Sequence, residues 1–460
     1  LQGVAINVHP SNGDSFSFVQ GTASVRNQGQ NHYLHVNATL EGNPEPLTVS
    51  FEVQGDRPDQ ASGTLHVLFP KADYSRVFAG QDLGTMDILE LAGSGQAWIE
   101  VEEGQLNAAT VEFDIPGVTI SGKSEEQARQ PESEQLGLTN LKGMARLSHN
   151  SEESVWELAL ANMSVTYRSD SWQSFNAQVL FTPDQLLEIA ADHLDLGLLA
   201  RLAGDSGVLP DDAAADLKGF NPDGSLQNVS LSLPISKTAG RPLTLKANVA
   251  NLQLESVRNS PNLWGMDGFV ELEFDPSVQH LTGVAEVNSS DFSMNIPSTF
   301  TRVWDYSRVN GRLHIDVSMA NGQVVKLASG RIVAESDAIN GSVRFTSITE
   351  RFADGSRDAR LDLMVGANRI EGSQKSLYLP DGPNISDNLR NTMKFLERAL
   401  IDGQVYNSGI LYRGSTVSGS EAMSKTFQSF WQLSDGQINF SDDWPNLEAL
   451  TATVQTDDDK

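Results

Sequence analysis

Apolar and polar positions alternate with a period of two along most of the chain. In "LTVSFEVQ" (47–54), Leu47, Val49, Phe51 and Val53 fall on one side and Thr48, Ser50, Glu52 and Gln54 on the other. Successive side chains of a strand point to opposite faces, so this is one apolar and one polar strand face. The alternation recurs with Leu34, Val36, Ala38 and Leu40, and with Val229, Leu231 and Leu233. It returns with Leu243, Leu245, Ala247 and Val249, with Leu313, Ile315 and Val317, and with Leu361, Leu363 and Val365. Turn-forming stretches such as "NPDG" (221–224), "FADGS" (352–356) and "SDGQ" (434–437) punctuate the runs. Such two-faced strands are the mark of antiparallel sheet, so the expected fold is all-β with long meanders.

The period changes in few places. In "SDNLRNTMKFLERALIDG", Leu389, Met393, Leu396 and Leu400 recur at helical spacing and predict a helix over 387–401. Ser386 suits its N-cap and Gly403 its stop. The stripe is expected to lie across the sheet and gate whatever the sheet encloses. Short helices are also predicted near 184–203 and within "KADYSRVFAG" (71–80). Each of the three follows a stretch ending in X-Pro ("HVLFP", "QVLFTP", "SLYLP"), where Pro lacks the ladder's donor and suits a helix's first turn. The polar segment "SGKSEEQARQPESEQLG" (121–137) reads as a soft boundary between an N-terminal part, 1–122, and a larger part, 138–460.

Composition then narrows the function. A formal charge of −28 argues against nucleic-acid binding and against polybasic docking on anionic membranes. With no cysteine there are no disulfides and no thiolate sites. No run of eighteen apolar residues provides a transmembrane helix. "LQGVAINVHP" opens in mid-strand pattern and "TATVQTDDDK" stops after one, so both ends read as cut from a longer polypeptide. There is no P-loop, GxGxxG, GxSxG, HExxH or CxxC motif, and no catalytic residue, metal site or cofactor is expected. His193 between Asp192 and Asp195 reads as a helix-end histidine rather than a ligand, and "SDDW" (441–444) and "TDDDK" (456–460) lack the spacing of a calcium loop. The seven tryptophans read as packing at strand ends and sheet edges.

The C-terminal third carries an ordered series of motifs. "LYLPDGPNISDNLRNTMKFLERALIDGQVYNSGILYRGS" is followed by "FQSFWQLSDGQINFSDDWPNLEALTATVQ". This resembles the YhdP family of AsmA-like, TamB-related proteins at Tyr378, Leu379, Pro380, Leu396, Ala399, Gly403, Gly414, Phe427, Phe440, Trp444 and Pro445. Phe395-Leu396 stands where the pattern has Trp-Leu, and residues 221–234 and 260–275 resemble the family's strand openings. The resemblance implies an elongated, twisted antiparallel sheet folded into an open groove. It implies phospholipid transport across the periplasm of a Gram-negative bacterium. It also implies attachment to the inner membrane by an N-terminal anchor outside this chain, and an outer-membrane partner, lipid or protein. On that reading Leu47, Val49, Phe51, Val53, Leu243, Leu245, Val249, Leu313, Ile315, Val317, Leu361, Leu363 and Val365 line the groove. The alternatives are a sandwich core, an extracellular glycan-binding adhesin, and a β-helical polysaccharide-active enzyme. The adhesin lacks its short regular repeats here, and the enzyme requires an acid–base cluster that the sequence does not single out.

Overall fold

A computed structural model describes residues 1–9, 15–78, 86–122, 135–151, 153–183, 186–206, 209, 211–235, 241–320, 323–352, 355–416, 425–441 and 443–457. Most of the polar segment and parts of "KADYSRVFAG", "FADGS", "SDDW" and "TDDDK" lie outside them. The described residues form 25 strands and four α-helices of at most 13 residues, and the strand ladders are antiparallel. The all-β antiparallel fold is as expected. The chain divides into two compact units, Leu1–Lys218 with Ser232–Ala239, and Gly219–Leu231 with Gly240–Lys460.

The first unit contains β1 (Gln2–Val8), β2 (Phe16–Gln28), β3 (Asn31–Leu40), β4 (Pro46–Gln54), β5 (Ser62–Asp73), β6 (Met86–Glu102), β7 (Gln105–Gly122), β8 (Gln135–Asn150), β9 (Val155–Tyr167), β10 (Asp170–Phe181) and β11 (Leu186–Asp195). Each strand pairs with its neighbour in sequence, giving an unbroken meander. A short helix α1 (Ser75–Phe78) stands between β5 and β6, and α2 (Leu196–Asp205) and α3 (Asp211–Phe220) follow β11. The core of the unit is where α2 meets the sheet: Leu198 is fully buried against Val165, Tyr167 and Trp172. Asp195 fixes the start of α2 by accepting a hydrogen bond from the Leu198 amide at 2.7 Å.

Several expectations are corrected in this unit. Of the short helices expected near 184–203, α2 is found at Leu196–Asp205, whereas Leu186–Asp195 is a strand, whose Leu187–Ala191 pair with Phe181–Ala177 of β10 and satisfy its open edge. The boundary at 122/138 is not where the units divide: β7 and β8 on either side of the polar segment form a long ladder, Ser121↔Gln135 to Ala108↔Ser148. Pro70 does not end its strand. The ladder of β5 is irregular between Phe69 and Ala72, and this irregularity accommodates a residue without a donor. Pro183 leads into β11 rather than a helix.

The strand β12 (Asp223–Pro234) begins in the second unit and ends in the first. Then come β13 (Leu243–Leu254), β14 (Asn262–Asp275), β15 (His280–Ser289), β16 (Phe292–Ile296), β17 (Phe300–Tyr306), β18 (Arg308–Ser318), β19 (Gln323–Ser329), β20 (Ile332–Glu335), β21 (Ile339–Arg351) and β22 (Arg357–Glu371). A 3-10 turn, Gly372–Leu377, and helix α4 (Asp387–Ala399) precede β23 (Leu400–Ser415), β24 (Thr426–Ile438) and β25 (Leu447–Asp457). "SLYLP" is therefore this turn and the loop after it, not a strand. Ser386 caps α4 as expected, its hydroxyl accepting from the Leu389 amide at 3.3 Å. Gly403 is not the helix stop. It sits inside β23 at a bulge, at φ +133°, where a Cβ would come within 2.8 Å of Gly436 Cα. "SDGQ" likewise lies inside β24, with Asp435 at φ +50°, as a bulge rather than a hairpin turn.

Little of the apolar surface is sealed. Among the described residues 23 apolar side chains are buried, and eleven of them are alanines, too small to fill a layer between two sheets.

Candidate functional site

In an antiparallel ladder, residues directly opposite one another point to the same face. Following the register from strand to strand therefore shows what each predicted face becomes. Starting from Phe51, one row in the first unit reads Val25, Leu34, Phe51, Leu65, Ile99, Ala109, Leu147, Leu158, Val179 and Ile189, across β2 to β11. The next row, through Val49, reads Ala23, Val36, Val49, Val67, Ala97, Val111, Ala145, Leu160, Ala177 and Ala191. Both rows are apolar at every strand. One residue along, the opposite face reads Ser24, His35, Ser50, His66, Trp98, Thr110, Arg146, Ala159, Gln178 and Ala190. At about 4.8 Å per strand, ten strands make an apolar band roughly 43 Å long.

The second unit repeats the arrangement. Leu245, Ile315 and Leu361, far apart in sequence, fall in one row: Leu245, Leu272, Gly283, Ile315, Leu327, Ser347, Leu361 and Gly414. Leu243 and Val317 share the adjoining row with Phe274, Leu281 and Val325, and Leu313 lies in the row of Ala247, Val270 and Ala285. Val249, Leu363 and Val365 occupy the same face of β13 and β22. The row beside it, on the opposite face, is mostly polar, interrupted by Val284 and Ala328, and carries cross-strand ion pairs, Lys246–Glu271 at 2.8 Å and Asp362–Arg413 at 3.4 Å.

These faces are neither packed nor bare. Of the thirteen predicted lining residues only Val249, 8% exposed, is buried; the other twelve are half-buried. A sandwich core would bury Phe51, Leu245 and Leu363 as it buries Leu198. The residues missed by reading the sequence, such as Leu65, Ile99, Leu272 and Leu327, are the cross-strand partners of those found. "TLHVLF" and "AWIEVE" carry the same alternation and would have located the first two.

Helix α4 departs from expectation. Its stripe does not seal against the sheet: Leu389 and Leu396 are 39% and 38% exposed, Met393 and Leu400 half-buried, and Ala399 is the one buried residue of the helix. Polar contacts hold it instead. Arg390 donates to the carbonyl of Gly382 at 3.1 Å, and Glu397 accepts from Ser376 and Arg302. The stripe of α4 is therefore not packed against the sheet as expected of a docked gate. Leu396→Asp is expected to change folding stability by less than about 0.5 kcal/mol in a urea melt. A loss of several times that amount shows that the stripe packs in solution.

The remaining motif residues separate. Tyr378 is half-buried beside Trp304, with Leu379 and Pro380 half-buried after it. Gly403 and Gly414 have positive φ. Phe427, Phe440, Trp444 and Pro445 are exposed, Trp444 most of all at 71%. The carboxylates beside His193 are engaged elsewhere: Asp192 accepts from the Asn176 amide and side chain, and Asp195 caps α2. Among the described residues no group of three His, Asp or Glu side chains is placed to hold a metal ion, and no helix is long and apolar enough to cross a membrane.

No curated protein and no solved structure matches the chain. The family profile described as "YhdP protein" matches residues 14–460, so nearly the whole chain is covered and the protein belongs to the YhdP family.

Proposed function

We propose that this protein carries phospholipids between the membranes of the bacterial envelope, with the acyl chains held on the apolar faces of its sheets. The carrying observation is the pair of cross-strand rows that stay apolar over ten strands while most members are half-buried, with Val25 and Val111 exposed and only Ala97 and Ala191 buried. Each methylene covered contributes about 0.8 kcal/mol, so two acyl chains are retained by area alone. Half a bilayer's hydrocarbon is about 15 Å thick, so the 43 Å band exceeds one chain's length and offers successive equivalent positions. Equivalence matters for transport. A row of Leu, Val, Ile and Ala without fixed polar anchors gives sliding a nearly level free-energy profile, while headgroups stay in water. Family membership supports an envelope setting, with the periplasm as the compartment.

A photo-crosslinking amino acid at Phe51, Leu245 or Leu363 is expected to capture phospholipid in cells. The same probe at Glu52, Lys246 or Asp362, one residue away on the polar face, is expected not to. Equal capture by both sets, or by neither, overturns the proposal, and capture of glycan favours a binding module.

A further inference from the structure

The second unit contains a cavity of about 490 Å³ that is not part of the apolar rows. It is lined by residues of the β16–β17 hairpin, the loop between β20 and β21, and the 3-10 turn with Tyr378 after it. Phe292 (6% exposed), Tyr306 and Tyr378 give it an aromatic wall. The Phe292 and Tyr306 rings stack with centroids 6.4 Å apart. Trp304 packs against Tyr378 at 5.8 Å and donates its indole N–H to the Leu377 carbonyl at 2.7 Å, which fixes the wall from behind. The phenol groups of Tyr306 and Tyr378 are hydrogen-bonded to each other, and Tyr378 also reaches Ser336. Burial pushes both phenols above their ordinary range, so they remain neutral.

Around this wall stand three exposed carboxylates, Asp291, Asp305 and Asp337. Asp305 accepts from the Ser293 hydroxyl at 2.6 Å. Among the described residues none of the three forms an ion pair. Arg369 donates to the backbone carbonyls of Ser336 and Asp337, and its carboxylate partner is Glu371 at 3.7 Å. An aromatic wall attracts cations through its ring quadrupole, and unpaired carboxylates add Coulomb attraction and repel anions. Among the described residues no three carboxylates or imidazoles converge as metal ligands.

We propose that this cavity binds an organic ammonium group, with Tyr306, Tyr378 and Phe292 against its alkyl surface and Asp305 and Asp337 balancing its charge. The inference stands apart from lipid carriage, because a free amine and an ethanolamine or choline headgroup present the same chemistry.

The test is ligand-observed saturation-transfer NMR on the full chain with choline and with ethanolamine. The comparison ligand is 3,3-dimethylbutan-1-ol, the uncharged counterpart of choline. Saturable binding of the two cations is expected, with the alcohol about tenfold weaker or more. The double variant D305N/D337N is expected to weaken cation binding about tenfold or more while its melting temperature stays that of the parent; D305N alone serves if the pair fails to fold. Short-chain phosphatidylethanolamine against phosphatidylglycerol of equal chain length separates the sources. Preference for the former identifies a lipid headgroup, and equal binding alongside retained choline binding identifies a free cation. Equal affinity for choline and the alcohol, no saturable binding of either cation, or full binding by the folded variant overturns the proposal.

Discussion

Leu198→Ala is expected to loosen the first unit by about 3–5 kcal/mol, the usual range for truncating a fully buried leucine. Leu198 is 0% exposed, and the cluster it joins is small. One member already carries a cost, because the indole N–H of Trp172 is buried without a partner, a deficit of about 1–3 kcal/mol. Hydrogen exchange in β9 and β10, which supply Val165, Tyr167 and Trp172, should accelerate by about a hundredfold or more. The exposed Leu68 of β5, 44% accessible, is the control, and Leu68→Ala should leave exchange unchanged. If the two substitutions behave alike, α2 does not hold the unit's core.

Asp205→Asn is expected to cost about 2 kcal/mol at neutral pH and to flatten the acid side of the stability curve. Asp205 is 8% exposed and accepts a hydrogen bond from the Tyr167 hydroxyl at 2.9 Å. It also pairs with Arg168 at 2.8 Å and Lys218 at 3.0 Å. Breaking a buried pair costs about 3–5 kcal/mol, and the half-exposed basic partners, screened by solvent, bring the expectation below that. Burial by itself raises the carboxyl's pKa; Lys218, Tyr167 and Arg168 outweigh it and hold it below the ordinary carboxylate range. The folded pKa is therefore depressed. The stabilisation is present above the unfolded value, about 4, and is lost as pH falls through the lower folded value. Acid melts of parent and variant should converge there. Parallel curves down to pH 2 remove Asp205 as the source.

Strand faces were legible because each strand had to hide one side, and alternation records which side that is. Leu245, Ile315 and Leu361 could be named from sequence for this reason, although only the register shows that they share a row. Residues 186–195 misled because "LLEIAADHL" fits a helix as well as a strand; the open edge of β10, a tertiary fact, decided between them. Gly403 and the Asp435-Gly436 pair suit a helix stop and a turn as well as a bulge, because all three ask for positive φ. The stripe of α4 was correctly placed on a helix, but amphipathicity does not say what covers it. Of the cavity's wall only Tyr378 stood out in the sequence, as a motif residue; its partners Phe292 and Tyr306 lie some 70–90 residues away, and only the fold brings them together.

The sequential pairing of β1 through β11 has a consequence for how the molecule is made. Every ladder from β1 to β11 closes on the strand that has just been formed, so none of these pairings waits for a distant segment. Such a chain can assemble in the order in which it emerges from a ribosome or a secretion channel, each hairpin templating the next. Cooperativity then decays with distance along the array, as in solenoid proteins, and damage at one strand spreads to its neighbours rather than to the whole. Natural selection can lengthen or shorten this kind of body by whole hairpins, and so adjust its reach, without redesigning a core.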